Sequence, residues 1–181
     1  MIKKGYFDPD GMALGNEEVK ANFMSGKYAF YQNGSWNCGD FANKEKVKFN
    51  VKAGEFPVVD AANGKLGMLI GGPSDTIAVS EGPNAEAAAA FAVELGRLIC
   101  HYGYLKGSGL PAWKVWGDTS EVLPIVQEVA AICANAVDYV LFGDNAMPAD
   151  EAAIYLEYVS SVYGGAVDGA AFIKGLTSEI R

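Results

Sequence analysis

The residues best suited to chemistry in this chain are its three tryptophans, its one histidine and its three cysteines. Trp36 follows Asn33-Gly34-Ser35, and Trp113 and Trp116 follow Leu110-Pro111-Ala112, all outside the helical stripes the sequence suggests. An indole face can cover the C–H side of a sugar ring while neighbouring amides and carboxylates bond its hydroxyls. Asn33, Ser35 and Asp75 are polar groups of that kind nearby in sequence. Gly71-Gly72 lets backbone approach a ligand with no side chain between, although a plain turn explains the pair as well. A tryptophan at a strand end can equally belong to the core.

Other chemistries are narrowed by what the chain lacks. With His101 as its single histidine, a Ser-His-Asp triad would depend on that residue, and a zinc site with two imidazoles is impossible. Cys38, Cys100 and Cys133 are odd in number and far apart, which fits buried free thiols better than a metal knuckle or a disulfide framework. Ser25-Gly26-Lys27 looks like part of a phosphate loop, but Ala21 stands where that motif needs glycine and Tyr28 where it needs Ser or Thr. A helix stop before a strand explains it better. Neither Ser35 nor Ser108 sits in a G-x-S-x-G elbow. Pairs such as Asp8/Asp10 and Glu17/Glu18 read as solvated turns and helix starts. No metal, no cofactor and no catalytic residue is expected.

The elements that must position these residues fit in 181 residues, enough for one domain or two small lobes. With 50% hydrophobic and 20% charged residues, the chain has a globular balance. A net charge of −8 argues against nucleic acid and anionic membranes, which require a dense Lys/Arg field. No run is apolar for the length of a membrane span, and no apolar region follows Lys3-Lys4 as a secretory signal would require.

A helix is expected from Asn16, as N-cap, to Gly26, as C-terminal stop. Strands are expected over Lys27–Gln32, through Val47, Phe49 and Val51, within Leu66–Ile70, and over Thr76–Val79. A long helix opens at Pro83-Asn84, with Phe91, Leu95, Leu98 and Tyr102 as its stripe. A second starts at Ser120, with Pro124 near its first turn and Val126, Ala130, Cys133 and Val137 on one side. A third starts at Pro148 and is expected to be buried through Tyr155, Tyr158, Val159 and Val162. Asp168 caps the last, which carries Phe172, Leu176 and Ile180. The fold class expected is α/β, with strands mostly before residue 80 and helices after.

Taken in order, several phrases resemble the C-terminal part of the extracellular solute-binding proteins of ABC transporters, the carbohydrate-binding kind related to maltose-binding protein. They run from Gly5-Tyr6-Phe7 through Phe23-Met24-Ser25-Gly26-Lys27-Tyr28-Ala29-Phe30 and Asn33-Gly34-Ser35-Trp36 to Phe56-Pro57 and Gly71-Gly72. Thr76-Ile77-Ala78-Val79-Ser80, the helix from Asn84 to Leu98, Leu110-Pro111-Ala112 and Met147-Pro148 complete them. The most specific element is F-x-x-G-K-x-A-x-x-x-x-G-S-W.

The resemblance implies a bilobal, type II periplasmic-binding-protein-like fold, with residues 1–65 and 120–181 in one lobe and 66–119 crossing to the other. It implies non-covalent capture of a sugar or oligosaccharide in a cleft between lobes, without enzymatic turnover. Trp36 would stack on the ligand, and Gly71 and Gly72 would line the cleft beside Ser74 and Asp75. Trp113 and Tyr155 would add sugar contacts. The implied partners are a carbohydrate and the permease subunits of an ABC importer, at the outer face of a membrane or in a periplasm, the parent being lipid-anchored or free. Family chains are more than twice as long, so the expectation is a fragment that exposes apolar surface and pairs with a second copy or with the missing N-terminal part. A receptor for a non-sugar solute is the alternative within the class, and the scarcity of arginine argues mildly against anions. A glycoside-processing enzyme and a small interaction domain with core tryptophans are the alternatives outside it.

Overall fold

The computed structural model describes residues 4–72 and 75–180. The fold is mixed, with six helices and two short parallel strands among the described residues. The helices are α1 (Asn16–Met24), α2 (Cys38–Ala42), α3 (Ala85–Lys106), α4 (Pro124–Ala134), α5 (Ala149–Gly164) and α6 (Gly169–Glu179). The strands are β1 (Met68–Ile70) and β2 (Asp138–Val140). Single 3-10 turns stand at Gly11–Ala13, Ser35–Asn37 and Gly143–Ala146. Two compact units emerge: Met1–Ala21, Ile70–Gly72 and Val140–Arg181 in one, Asn22–Leu69 and Pro73–Tyr139 in the other.

Local chemistry sets the helix ends. Gly15, not Asn16, occupies the cap of α1: its carbonyl accepts from the Val19 N–H at 3.0 Å, and its own N–H donates to Glu18 Oε2 at 2.7 Å. Glu18 thereby plays the returning acid of a capping box. At the other end Gly26 has φ +84°, and the bonds Gly26 N–H to Phe23 O and Lys27 N–H to Asn22 O, both 2.9 Å, close a Schellman motif. The helix expected from Ser120 begins instead at Pro124, which takes the first position of α4, where its missing N–H costs nothing. Asp168 caps α6 by accepting from the Ala171 N–H at 2.8 Å.

The smaller unit packs α5 against α6. The Tyr158 ring lies over Gly175, where any Cβ would overlap it, and meets Phe172 edge-on at 6.3 Å. Its hydroxyl donates to Glu179 at 2.6 Å, a bond that raises the phenol's pKa because it favours the neutral form. Ala152 is the buried residue of α5; Tyr155 and Tyr158 are half-buried, and Val159 and Val162 are more open than their expected core role requires.

The larger unit has two apolar centres. Cys38, Leu105, Val122 and Val126 form one, where α2, the end of α3 and the start of α4 meet. Phe23, Tyr31, Phe41 and Phe49 form the other, with ring centroids 5.2 to 5.9 Å apart in the touching pairs. Lys52 Nζ and the Ala53 N–H reach Glu128 on α4 at 2.6 and 3.0 Å, tying the stretch after Phe49 to a helix 75 residues away. Those two donors, Lys52 first, hold the Glu128 carboxyl below its ordinary pKa. A lowered native pKa adds stability above the ordinary carboxylate value of about 4.3, and that contribution fades as pH falls through the native value. Glu128→Gln is therefore expected to flatten the acid limb of stability below about pH 4.3, read by urea unfolding across pH. An unchanged limb would mean that the pair does not form in solution.

Three expected strands are absent from the ladder. Lys27–Gln32, the stretch through Val47 to Val51, and Thr76–Val79 all lie outside any helix or strand. Alternation prepares a strand, but a strand exists only with a bonded neighbour. Instead, a turn in which the Val47 N–H donates to Asn43 O at 2.9 Å carries Val47 to full burial. Tyr31 and Phe49 turn into the Phe23 cluster. Only Leu66–Ile70 yields a strand, β1, and its partner β2 lies after residue 80. On α3 the helix is where expected, but Phe91 and Tyr102 of its stripe are exposed and only its end, Leu105, is buried. Val137, expected on the covered side after α4, is exposed too.

Candidate functional site

The turn carrying Trp36 is built by its own short side chains. The Gly34 N–H donates to Asn33 Oδ1 at 2.8 Å, and Asn33 Nδ2 donates to the Tyr31 hydroxyl at 2.7 Å. Buried Asn37 closes the turn, its backbone N–H reaching Gly34 O at 3.3 Å. The indole of Trp36 lies on Gly34, where a Cβ would overlap the six-membered ring, and 52% of the residue remains exposed. A residue with a Cβ at 34 would therefore displace the Trp36 ring from the turn.

This turn is held against the end of α3. The Gly39 N–H donates to Gly107 O at 2.9 Å, and Ser35 Oγ lies 4.0 Å from where a Cβ on Gly109 would stand. Cys38, directly after the turn, is a buried free thiol whose pKa is pushed up by that burial. Cys100 and Cys133 are free and half-buried. Trp36, Asn33 and Ser35 therefore stand together on one turn, which carries a hydroxyl, an amide and an open aromatic surface.

Trp113 belongs to a second cluster on the flank of α3. There His101 stacks on Trp116 at 4.1 Å and 24°, while the Arg97 guanidinium also lies 4.1 Å from the Trp116 ring. Glu94 holds Arg97 through two bonds of 2.6 and 2.8 Å, which lowers the carboxyl's pKa. Between these side chains and Trp113 is a cavity of about 10 Å³, the size of one water, and His101 Nδ1 is buried without a hydrogen-bond partner. Such a space holds no organic ligand. Neither Trp36 nor its polar neighbours line it.

The remaining expected residues lie elsewhere. Gly71 extends the strand pairing, its N–H donating to Val140 O at 2.9 Å, and a Cβ on Gly72 would sit 2.9 Å from Leu141 Cδ2. Tyr155 packs its ring on Gly143, 3.1 to 3.3 Å from a Cβ there. Asp75 is exposed, and Ser74 lies outside the described residues. Among the described residues there is no group of three or more side chains suited to a metal, and no helix is long and apolar enough to cross a membrane.

A larger hollow escaped the sequence reading. Phe23, Tyr28, Phe30 and Phe49, with Asn50, Val51 and Lys52, line an open groove of about 520 Å³. Its signal was in the alternation that puts Tyr28 with Phe30, and Phe49 with Val51, on common faces. Compared with known proteins, the chain matches no family model, no curated protein and no solved structure.

Proposed function

We propose that the chain is the C-terminal part of a sugar-binding receptor with a bilobal, type II periplasmic-binding-protein-like fold, which delivers its ligand to an ABC importer at the outer face of a membrane. The observation that carries this reading is the Trp36 turn: an indole half open to solvent, fixed on Gly34, beside Asn33 and Ser35. A sugar ring presents an apolar face and a polar rim, and this turn offers a counterpart for each. Capture is non-covalent, and ligand contacts made to two lobes would drive closure. Gly71, Gly72, Asp75, Trp113 and Tyr155 are the further contacts that the resemblance implies.

The test is a tryptophan-fluorescence titration with mono- and oligosaccharides, run on this chain and on the longest form its source cell makes. A saturable change in the longer form is expected, with binding measured by calorimetry abolished by Trp36→Ala. Silence in both forms overturns the sugar reading. Turnover of a chromogenic glycoside would replace it with an enzyme.

A further inference from the structure

Beyond sugar binding, and independent of it, the aromatic groove has a matching segment in the chain itself. The groove's rim at Ala29 and Phe30, and at Asn50 and Val51, has no backbone-to-backbone hydrogen bonds among the described residues. Both stretches carry strand alternation, and Phe30 is almost wholly exposed. Residues 23–52 hold five lysines against Asp40 and Glu45, in a protein whose net charge is −8; Lys46 pairs with Asp40 and Lys52 with Glu128, while Lys44 and Lys48 form no ion pair among the described residues. Lys44 Nζ bonds Phe49 O at 3.1 Å and Asn50 Oδ1 at 3.4 Å, which puts its charge on the groove's edge. Lys48 follows, donating to Lys44 O at 3.2 Å.

Asp75-Thr76-Ile77-Ala78-Val79-Ser80-Glu81 has the complementary character. Every residue of it is exposed, it belongs to no helix or strand, and Thr76 to Ser80 form no backbone-to-backbone bonds among the described residues. In an extended conformation Ile77 and Val79 share one face with Asp75 and Glu81, so two apolar side chains are flanked by two acids. The groove is lined by other residues and does not hold this segment. We propose that the two meet between copies: Asp75–Glu81 of one chain seats in the Phe23–Tyr28–Phe30–Phe49 groove of a second, reciprocally, in a two-fold dimer.

An extended segment added between strand-patterned stretches gains main-chain bonds for affinity, and its alternate side chains give specificity.

Sedimentation velocity on the full chain across a concentration series tests the pairing. A dimer is expected, weakened about tenfold or more by Ile77→Asp with Val79→Asp, because charge then enters an aromatic groove. Asp75→Lys with Glu81→Lys should weaken it likewise, and adding Lys44→Glu with Lys48→Glu in the same chain should restore it. All these side chains belong to exposed residues of the free chain, and an unchanged helical circular-dichroism signal verifies the fold. In a mixture, copies carrying Val79→Cys should form a disulfide with copies carrying Phe30→Cys, a band missing from wild type. A monomer at every concentration, a dimer indifferent to these substitutions, or no disulfide between the two singly substituted chains would each overturn the proposal.

Discussion

Phe23→Ala is expected to destabilise the larger unit by about 3–4 kcal/mol, near the low end for a buried phenylalanine. Phe23 is 7% exposed and is the hub of its cluster: Tyr31 stacks on it at 5.4 Å, and Phe41 and Phe49 meet it edge-on at 5.2 and 5.9 Å. Truncation removes the ring's own burial and all three aromatic contacts at once. Partial collapse of the neighbours into the space limits the loss, because the cluster borders an open groove. Against a typical total of about 5–15 kcal/mol, the change removes a large part of the stability. Urea unfolding followed by tyrosine and tryptophan emission measures it. A loss below about 1 kcal/mol would mean that the cluster is not packed as described.

Gly107→Ala should cost about 3 kcal/mol, and it can be separated into its causes. Gly107 ends α3 in the left-handed region at φ +79°, which disfavours any residue with a Cβ by about 1 kcal/mol. A Cβ there would also stand 2.5 Å from Gly39 N and 2.9 Å from Gly39 Cα, and Gly39 donates the bond to Gly107 O. Backbone cannot rotate away as the end of a side chain can, so α2 must shift. Gly165, which ends α5 at φ +75° with nothing within 4 Å of its Cβ position, is the control. Gly165→Ala should cost only the torsional part, about 1 kcal/mol. Because α2 follows the Trp36 turn directly, Gly107→Ala should also shift Trp36 emission, whereas Gly165→Ala should not. Equal losses for the two variants would contradict the close approach.

The features legible in the sequence are those decided within a few residues. The stop at Gly26 and the cap at Asp168 need only local bonds, whereas the start expected at Ser120 moved to Pro124, whose fixed φ and missing N–H suit the first helical position. The α1 cap shows the limit of that resolution, since Gly15 with Glu18 outcompetes Asn16 by one position. The Trp36 turn was legible for the same reason, because Asn33, Gly34 and Ser35 build it among themselves.

What sequence alone determined about this protein is its helix-rich α/β character, several of its helix ends, its acidity and the turn that carries Trp36. Tertiary structure decided which strand-patterned stretches joined a ladder, since pairing depends on a neighbour that alternation cannot name. It also decided that the α3 stripe is covered at Leu105 and open at Phe91, because burial belongs to whatever packs opposite. It separated Trp113 from Trp36, placing the former beside Arg97, His101 and Trp116 on the flank of α3, where the stacking of His101 and Arg97 on Trp116 has no sequence spacing. And it opened the aromatic groove, because Phe23 drew Phe49 inward while leaving Phe30 in solvent.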